Sequence, residues 1–170
     1  PAAAAPAAGE GARSVFPHNL SFEQANFVQE PPAAGMVKAG LGNVASSFDT
    51  ILCLSTSKWV HLNFGDAGLM RLFHRVHAAL RPGGRFLLEP QPWSSYRKKA
   101  SLTPAILRNY RAIQLRPTGF ERCLIDEVGF VSCTPLDVGY SGGQSSRVRV
   151  TDRQTDRQTD NLVERHTVMP

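Results

Sequence analysis

A chain of 170 residues, 42% hydrophobic and 19% charged, has the size and composition of one ordinary soluble globular domain. Nineteen Lys and Arg against fourteen Asp and Glu leave a net charge of +5, compatible with a polyanionic partner but not diagnostic of one. Cys53, Cys123 and Cys133 stand far apart with no CxxC spacing, no apolar run nears the roughly 20 residues of a membrane span, and the opening lacks a signal-peptide pattern. These features argue against a metal centre, a disulfide framework and a membrane protein, and for a soluble intracellular one.

Residues 1–13 are an Ala/Pro/Gly tract with too little apolar bulk to offset ordering, so disorder is expected there. SVFPHNLSFEQANFV places Val15, Phe16, Leu20, Phe22, Phe27 and Val28 around a proline and predicts a short strand or ordered loop. Residues 29–47 return to linker composition. Gly40 and Gly42 in AGLGN lack the preceding strand and the third glycine of a phosphate-binding turn.

From residue 48 the pattern sharpens. FDTILCLS is a nearly continuous apolar run, as in a parallel strand covered on both faces. Asp66 is placed to cap a helix carrying Leu69, Leu72, Phe73, Val76 and Leu80 at helical spacing, and Arg81-Pro82-Gly83-Gly84 ends it before the strand RFLLE. Strand, helix, tight turn and strand make a βαβ unit with a right-handed crossover, in which ligands sit outside the carboxyl ends of the strands. The segments 54–63 and 89–99 therefore face one cleft. TPAILRNYRAI predicts a helix capped by Thr103, with Ile106, Leu107, Tyr110 and Ile113 on its apolar stripe. Pro117 then leads a short helix, and Gly129 turns the chain into the strand FVSCTPL. SGGQSSRVRV is only weakly strand-like, and TDRQTDRQTD is a four-residue repeat of the kind a tandem ACAG tract encodes. Residues 139–170 accordingly read as a disordered, low-complexity tail of noncoding origin.

FDTILCLS…LRPGGRFLLE resembles the second half of the Rossmann-like, S-adenosylmethionine-dependent methyltransferase fold, an α/β doubly wound sheet. KWVHLN, EPQPWSSY, NYRAIQLRP and the Gly-Phe strand narrow the resemblance to the 7SK RNA methylphosphate capping enzymes and their bicoid-interacting relatives, and it extends back to FPHNLSFEQANFV. A partial methyltransferase domain over 14–138 is expected.

The resemblance implies methyl transfer from S-adenosylmethionine to the 5′-terminal phosphate of a small non-coding RNA, in the nucleus or alternatively the cytoplasm, with ribonucleoprotein partners and without DNA or membrane. It places Asn26, Phe27 and Leu54 against the cofactor, with Phe27 where the family has a tyrosine. It places Lys58, Trp59, His61, Asn63, Glu89, Gln91, Pro92, Trp93, Ser95, Tyr96 and Lys98 or Lys99 around the RNA end, with Lys58 and His61 as the catalytic pair. A phosphate oxygen is already nucleophilic at neutral pH, so the task is alignment. Lys58 and Arg97 or Lys98 would hold the phosphates. Trp93 or Tyr96 would stack on the first base, and His61 would donate a hydrogen bond.

Plainer roles stand beside these: both tryptophans as cover for the sheet end, Lys98 and Lys99 as a solvated face, and His61 as a structural hydrogen-bonder. The family's glycine-rich turn and acidic ribose contact have no counterpart in the sequence, and a final strand to hairpin with FVSCTPL is not evident. An open sheet face and edge, with weak cofactor binding by the chain alone, are therefore expected, and a non-catalytic RNA-end module is the alternative function.

Overall fold

The computed structural model describes residues 16, 19, 20, 22, 26–29 and 48–136, together with the backbone of 148–153. AGLGN and the TDRQ repeat beyond 153 lie outside these residues, as does the Ala/Pro tract.

Phe48–Leu54 forms β1, Ser57–Ala79 forms α1 and Leu80–Glu89 forms β2, with β1 and β2 paired in parallel. This is the βαβ unit expected from the apolar runs. Phe48 faces Leu80, yet Thr50 faces Arg85, so the Pro-Gly-Gly segment bulges from the ladder. A Cβ at Gly84 would meet the Arg81 carbonyl at 2.8 Å and that of Phe48 at 3.1 Å, so only glycine lets the two backbones approach here.

α1 corrects the expected helix start. It begins at Ser57 rather than Asp66 and is interrupted at Gly65, whose φ of 64° and ψ of −168° break the helical path. Trp59, His61 and Asn63 therefore project from a helix and not from a loop. Next come α2 (Trp93–Arg97), α3 (Pro104–Ala112), a 3₁₀ turn (Pro117–Gly119), α4 (Phe120–Cys123) and a π-helical turn (Leu124–Val128). Thr103 caps α3 as expected, its hydroxyl accepting from the Ile106 amide at 3.1 Å.

β3 (Phe130–Leu136) follows the turn at Gly129. A closing strand is not expected from the sequence, and 139–170 reads as a tail, but the structure corrects this for six residues. Val148–Arg153 is β4, antiparallel to both β2 and β3, and it completes the order β1-β2-β4-β3. The β-branched Val148, Val150 and Thr151 suit a strand once two neighbours supply its hydrogen bonds. Three parallel strands with one antiparallel strand inserted before the last give a partial Rossmann-like methyltransferase sheet.

The core lies on one face of this sheet. Leu69, Leu72, Phe73 and Val76 of α1 pack with Phe86 and Leu88 of β2, Phe120, Cys123, Leu124 and Val128, and Phe130 of β3. Phe73 meets Phe120 edge-on at 5.6 Å between centroids, and Phe86 stacks on Phe130 at 6.0 Å. The opposite face is open among the described residues: Leu52 is 59% and Leu54 49% exposed, and Val131 is exposed too. Among the described residues β1 is therefore covered on one face and not on both. Among the described residues no helix is long and apolar enough to cross a membrane, and no cluster of three metal-ligating side chains occurs.

Candidate functional site

The carboxyl ends of β1 and β2 lead into α1 and α2, and the two segments meet. Ser55 follows β1 with φ 55°, a conformation disfavoured for a residue with a side chain, and its hydroxyl donates to Glu89 Oε2 at 2.7 Å at the end of β2. One turn into α1, Lys58 Nζ donates to Gln91 Oε1 at 2.5 Å and to Ser95 Oγ at 2.8 Å, while Ser95 Oγ donates to Gln91 Oε1 at 3.0 Å. The sequence-predicted Lys58, Glu89, Gln91 and Ser95 are thus brought to one end of the sheet.

Lys58 is only 5% exposed, and both of its hydrogen-bond partners are neutral. No ion pair holds it among the described residues. Burial, with a further push from Lys99, lowers its pKa from the ordinary lysine value. An ammonium removed from water and left without counter-charge favours whatever anion can reach it. α1 adds to this, since it opens without a side-chain cap or an acidic residue in its first turn.

The aromatic side chains divide by exposure. Tyr96 is fully buried, and Trp93 is half-buried with its ring stacked on Tyr110 at 4.8 Å and on Tyr96 at 5.0 Å. The guanidinium carbon of Arg116 lies 3.6 Å from the Trp93 ring centroid. Leu62, Ile106 and Ile113 complete this second small core beneath the site. Trp59 is 38% exposed, with Lys58 Nζ 4.8 Å from its ring centroid, so it presents free aromatic surface beside the cation. Asn63 is exposed one turn further along and donates from Nδ2 to the Trp59 carbonyl at 2.8 Å. Pro92, Arg97, Lys98 and Lys99 are exposed on the second segment.

His61 is fully buried with both ring nitrogens engaged: Nδ1 lies 3.3 Å from the Tyr96 hydroxyl and Nε2 lies 2.6 Å from Asp66 Oδ1. Burial raises the Tyr96 pKa, so its hydroxyl donates to Nδ1 and the imidazole N–H points at Asp66. Burial lowers the His61 pKa despite the opposing pull of Asp66 and keeps the ring neutral. Asp66 Oδ2 accepts from the Gln114 amide at 2.8 Å and the Leu115 amide at 3.3 Å. Burial pushes the Asp66 carboxyl up, but hydrogen bonds from His61 and these two amides outweigh it and hold the pKa low. Asp66 is therefore a cross-link between α1 and the segment after α3, and not the helix cap expected of it.

The cofactor candidates are not gathered in the same way. Leu54 is exposed at the carboxyl end of β1. Asn26 Oδ1 accepts from the Val28 and Gln29 amides at 3.1 and 3.0 Å, Phe27 packs onto the core, and the Phe27 carbonyl accepts from Arg75 of α1. The contacts described for this turn run to α1. The described residues offer S-adenosylmethionine an apolar strand end at Leu54 and no assembled polar site, so they do not by themselves fit the whole cofactor.

Reasoning from sequence missed Ser55, Asp66 in its cross-linking role, Tyr110 and Arg116. A positive-φ serine carries no sequence signal, and LRP betrays nothing of the ring on which Arg116 lies.

This sheet, with helices on its packed face and the order β1-β2-β4-β3, is that of a partial Rossmann-like methyltransferase domain. The chain belongs to the family described as Bicoid-interacting protein 3 (Bin3), whose pattern matches residues 48–151. It is 48% identical over 120 residues to the 7SK snRNA methylphosphate capping enzyme of Homo sapiens, covering 70% of this chain and 16% of that protein. It is 43% identical over 123 residues to a probable RNA methyltransferase of Arabidopsis thaliana, covering 72% of this chain and 36% of that one. It is 35% identical over 86 residues to the RNA 5′-monophosphate methyltransferase of Pongo abelii, covering 50% and 28%. The chain thus spans well under half the length of each of these relatives.

Proposed function

We propose that this chain forms the RNA-end half of a 5′-terminal phosphate O-methyltransferase acting on a small non-coding RNA, with S-adenosylmethionine as methyl donor. The observation that carries it is Lys58, a buried ammonium held by Gln91 and Ser95 with no ion pair among the described residues, where β1 and β2 end. A terminal phosphate completes that site. It brings the counter-charge that Lys58 lacks among the described residues, and it is a better fit than a neutral ligand because burial disfavours an uncompensated cation.

Each side chain then has a task. Lys58 aims the terminal phosphate, whose oxygen is already anionic at neutral pH, so no general base is required. Trp59 offers its exposed ring to the first base, and Lys98 and Lys99 at the rim attract the strand. Gln91 and Ser95 orient Lys58, Asn63 and Pro92 border Trp59 and α2, and Glu89 fixes Ser55. His61 and Tyr96 are positioning residues, since neither reaches solvent. Leu54, with Asn26 and Phe27, is assigned to the cofactor side. The human relative is named for a small nuclear RNA, which favours a nuclear setting and ribonucleoprotein partners.

The test joins the chain to the glycine-turn half of the methyltransferase sheet and follows a labelled methyl group from S-adenosylmethionine. Label is expected in 5′-phosphorylated RNA, not in 5′-hydroxyl RNA, and is lost in Lys58→Met. An assembled protein that binds the cofactor and RNA yet labels neither would favour a non-catalytic RNA-end module.

A further inference from the structure

We infer that Arg116 is a second phosphate-binding residue, gripping the internal phosphodiester that follows the terminal phosphate; this rests on the RNA-end reading above. Its guanidinium carbon lies over Trp93, 3.6 Å from the ring centroid, while the same indole is stacked on Tyr110 and Tyr96. A stacked guanidinium keeps its N–H donors in its own plane, directed past the ring edge and free for an oxyanion. Arg116 is exposed, and no ion pair engages it among the described residues. Elsewhere on the described surface, Arg81 and Arg122 each have an aspartate partner.

The position is fixed as well as free. The Leu115 amide before it is bound by Asp66, the Gly119 amide donates to the Arg116 carbonyl at 2.8 Å, and Pro117 after it is buried. Two residues along from Trp93, Ser95 accepts from Lys58. Lys58 and Arg116 therefore both contact α2, Lys58 buried and suited to a chain end, Arg116 exposed and suited to a strand passing by. Gly, Ala or Leu at 116 would leave the Trp93 stack without its cationic cover, whereas Lys would keep the charge and lose the flat, forked geometry.

The experiment measures fluorescence anisotropy of this chain with a 5′-phosphorylated RNA ten nucleotides long, across a salt series, with a nucleoside 5′-monophosphate as competitor. Arg116→Gln is expected to weaken RNA roughly tenfold and to flatten the log–log salt slope by about 0.7, the share of one phosphate contact on a single strand. Competition by the monophosphate should stay unchanged. Arg116→Lys should keep the slope and lose part of the affinity, and it decides the matter should the glutamine variant melt early. Unchanged affinity and slope in both variants overturn the inference alone. Equal loss of RNA and monophosphate also overturns it, by placing Arg116 at the terminal phosphate. A parent chain that binds neither probe overturns the RNA-end reading and this inference together.

Discussion

The imidazole Nε2 of His61 lies 2.6 Å from Oδ1 of Asp66, and the other oxygen of that carboxylate takes the amides of Gln114 and Leu115. One side chain thereby ties the first half of α1, the start of its second half and the segment carrying Arg116. Asp66→Ala leaves a buried imidazole N–H and two amides without their acceptor and is expected to cost about 2–4 kcal/mol. Urea unfolding of the chain measures this; a loss under about 0.5 kcal/mol would show that Asp66 is not the cross-link described.

Acidification tests the same pair. The His61 pKa is held below its ordinary 6.5 by burial, so the unfolded chain takes up this proton before the folded one. Stability contributed by neutral His61 is fully present above pH 6.5 and falls as pH drops through 6.5 toward the folded value. The slope approaches but cannot exceed about 1.4 kcal/mol per pH unit for one proton. The Asp66 contribution persists over that range, because its low carboxyl pKa titrates only in stronger acid. Unfolding midpoints between pH 8 and 5 should fall more steeply for the parent than for His61→Gln. Parallel curves would contradict a buried, neutral imidazole.

The two tryptophans should separate by readout. Trp93 is stacked within the protein, so Trp93→Ala removes packing and is expected to destabilise by about 3 kcal/mol. Trp59 is partly free, so Trp59→Ala should cost under about 1 kcal/mol and weaken RNA by roughly tenfold, the loss of one stacked base. Thermal melts and RNA titrations on both variants check this. A Trp93→Ala variant of unchanged stability that loses RNA far beyond the roughly tenfold expected of Arg116→Gln would return the stacking role to Trp93.

Much of the fold is legible in the sequence because its signals are local. The apolar runs of β1 and β2, the Thr103 cap and the Gly129 turn each depend on neighbours within a few residues. The start of α1 is not legible in the same way: Asp66 offers a cap signal just after the break at Gly65, and only the packing of Leu62 and His61 reveals the earlier helix. β4 is obscured for a different reason. VRVT is short and flanked by polar repeats, and its pairing with β2 and β3 is a long-range effect. At the site, the convergence of Lys58 with Gln91 and Ser95 follows from strands ending on one side of a parallel sheet. Which tryptophan is free is decided by Tyr110 and Arg116, residues far along the chain.

Lys58 should show opposite effects on stability and binding. Lys58→Met replaces a buried ammonium that has no ion pair among the described residues with an apolar group of similar length, so the fold is expected to hold or gain up to about 1 kcal/mol. The same change removes the cation assigned to the terminal phosphate. Chemical unfolding resolves the first effect; a loss above about 2 kcal/mol would mean that Lys58 chiefly holds the protein together.

The most direct measurement compares two RNAs of one sequence, one ending in a 5′-phosphate and the other in a 5′-hydroxyl, by anisotropy with this chain and its Lys58→Met variant. The phosphorylated RNA should bind the parent at least about tenfold more tightly, the worth of one charge-assisted contact, and the variant should not distinguish them. Equal affinity of the parent for both RNAs would contradict an RNA-end site at Lys58.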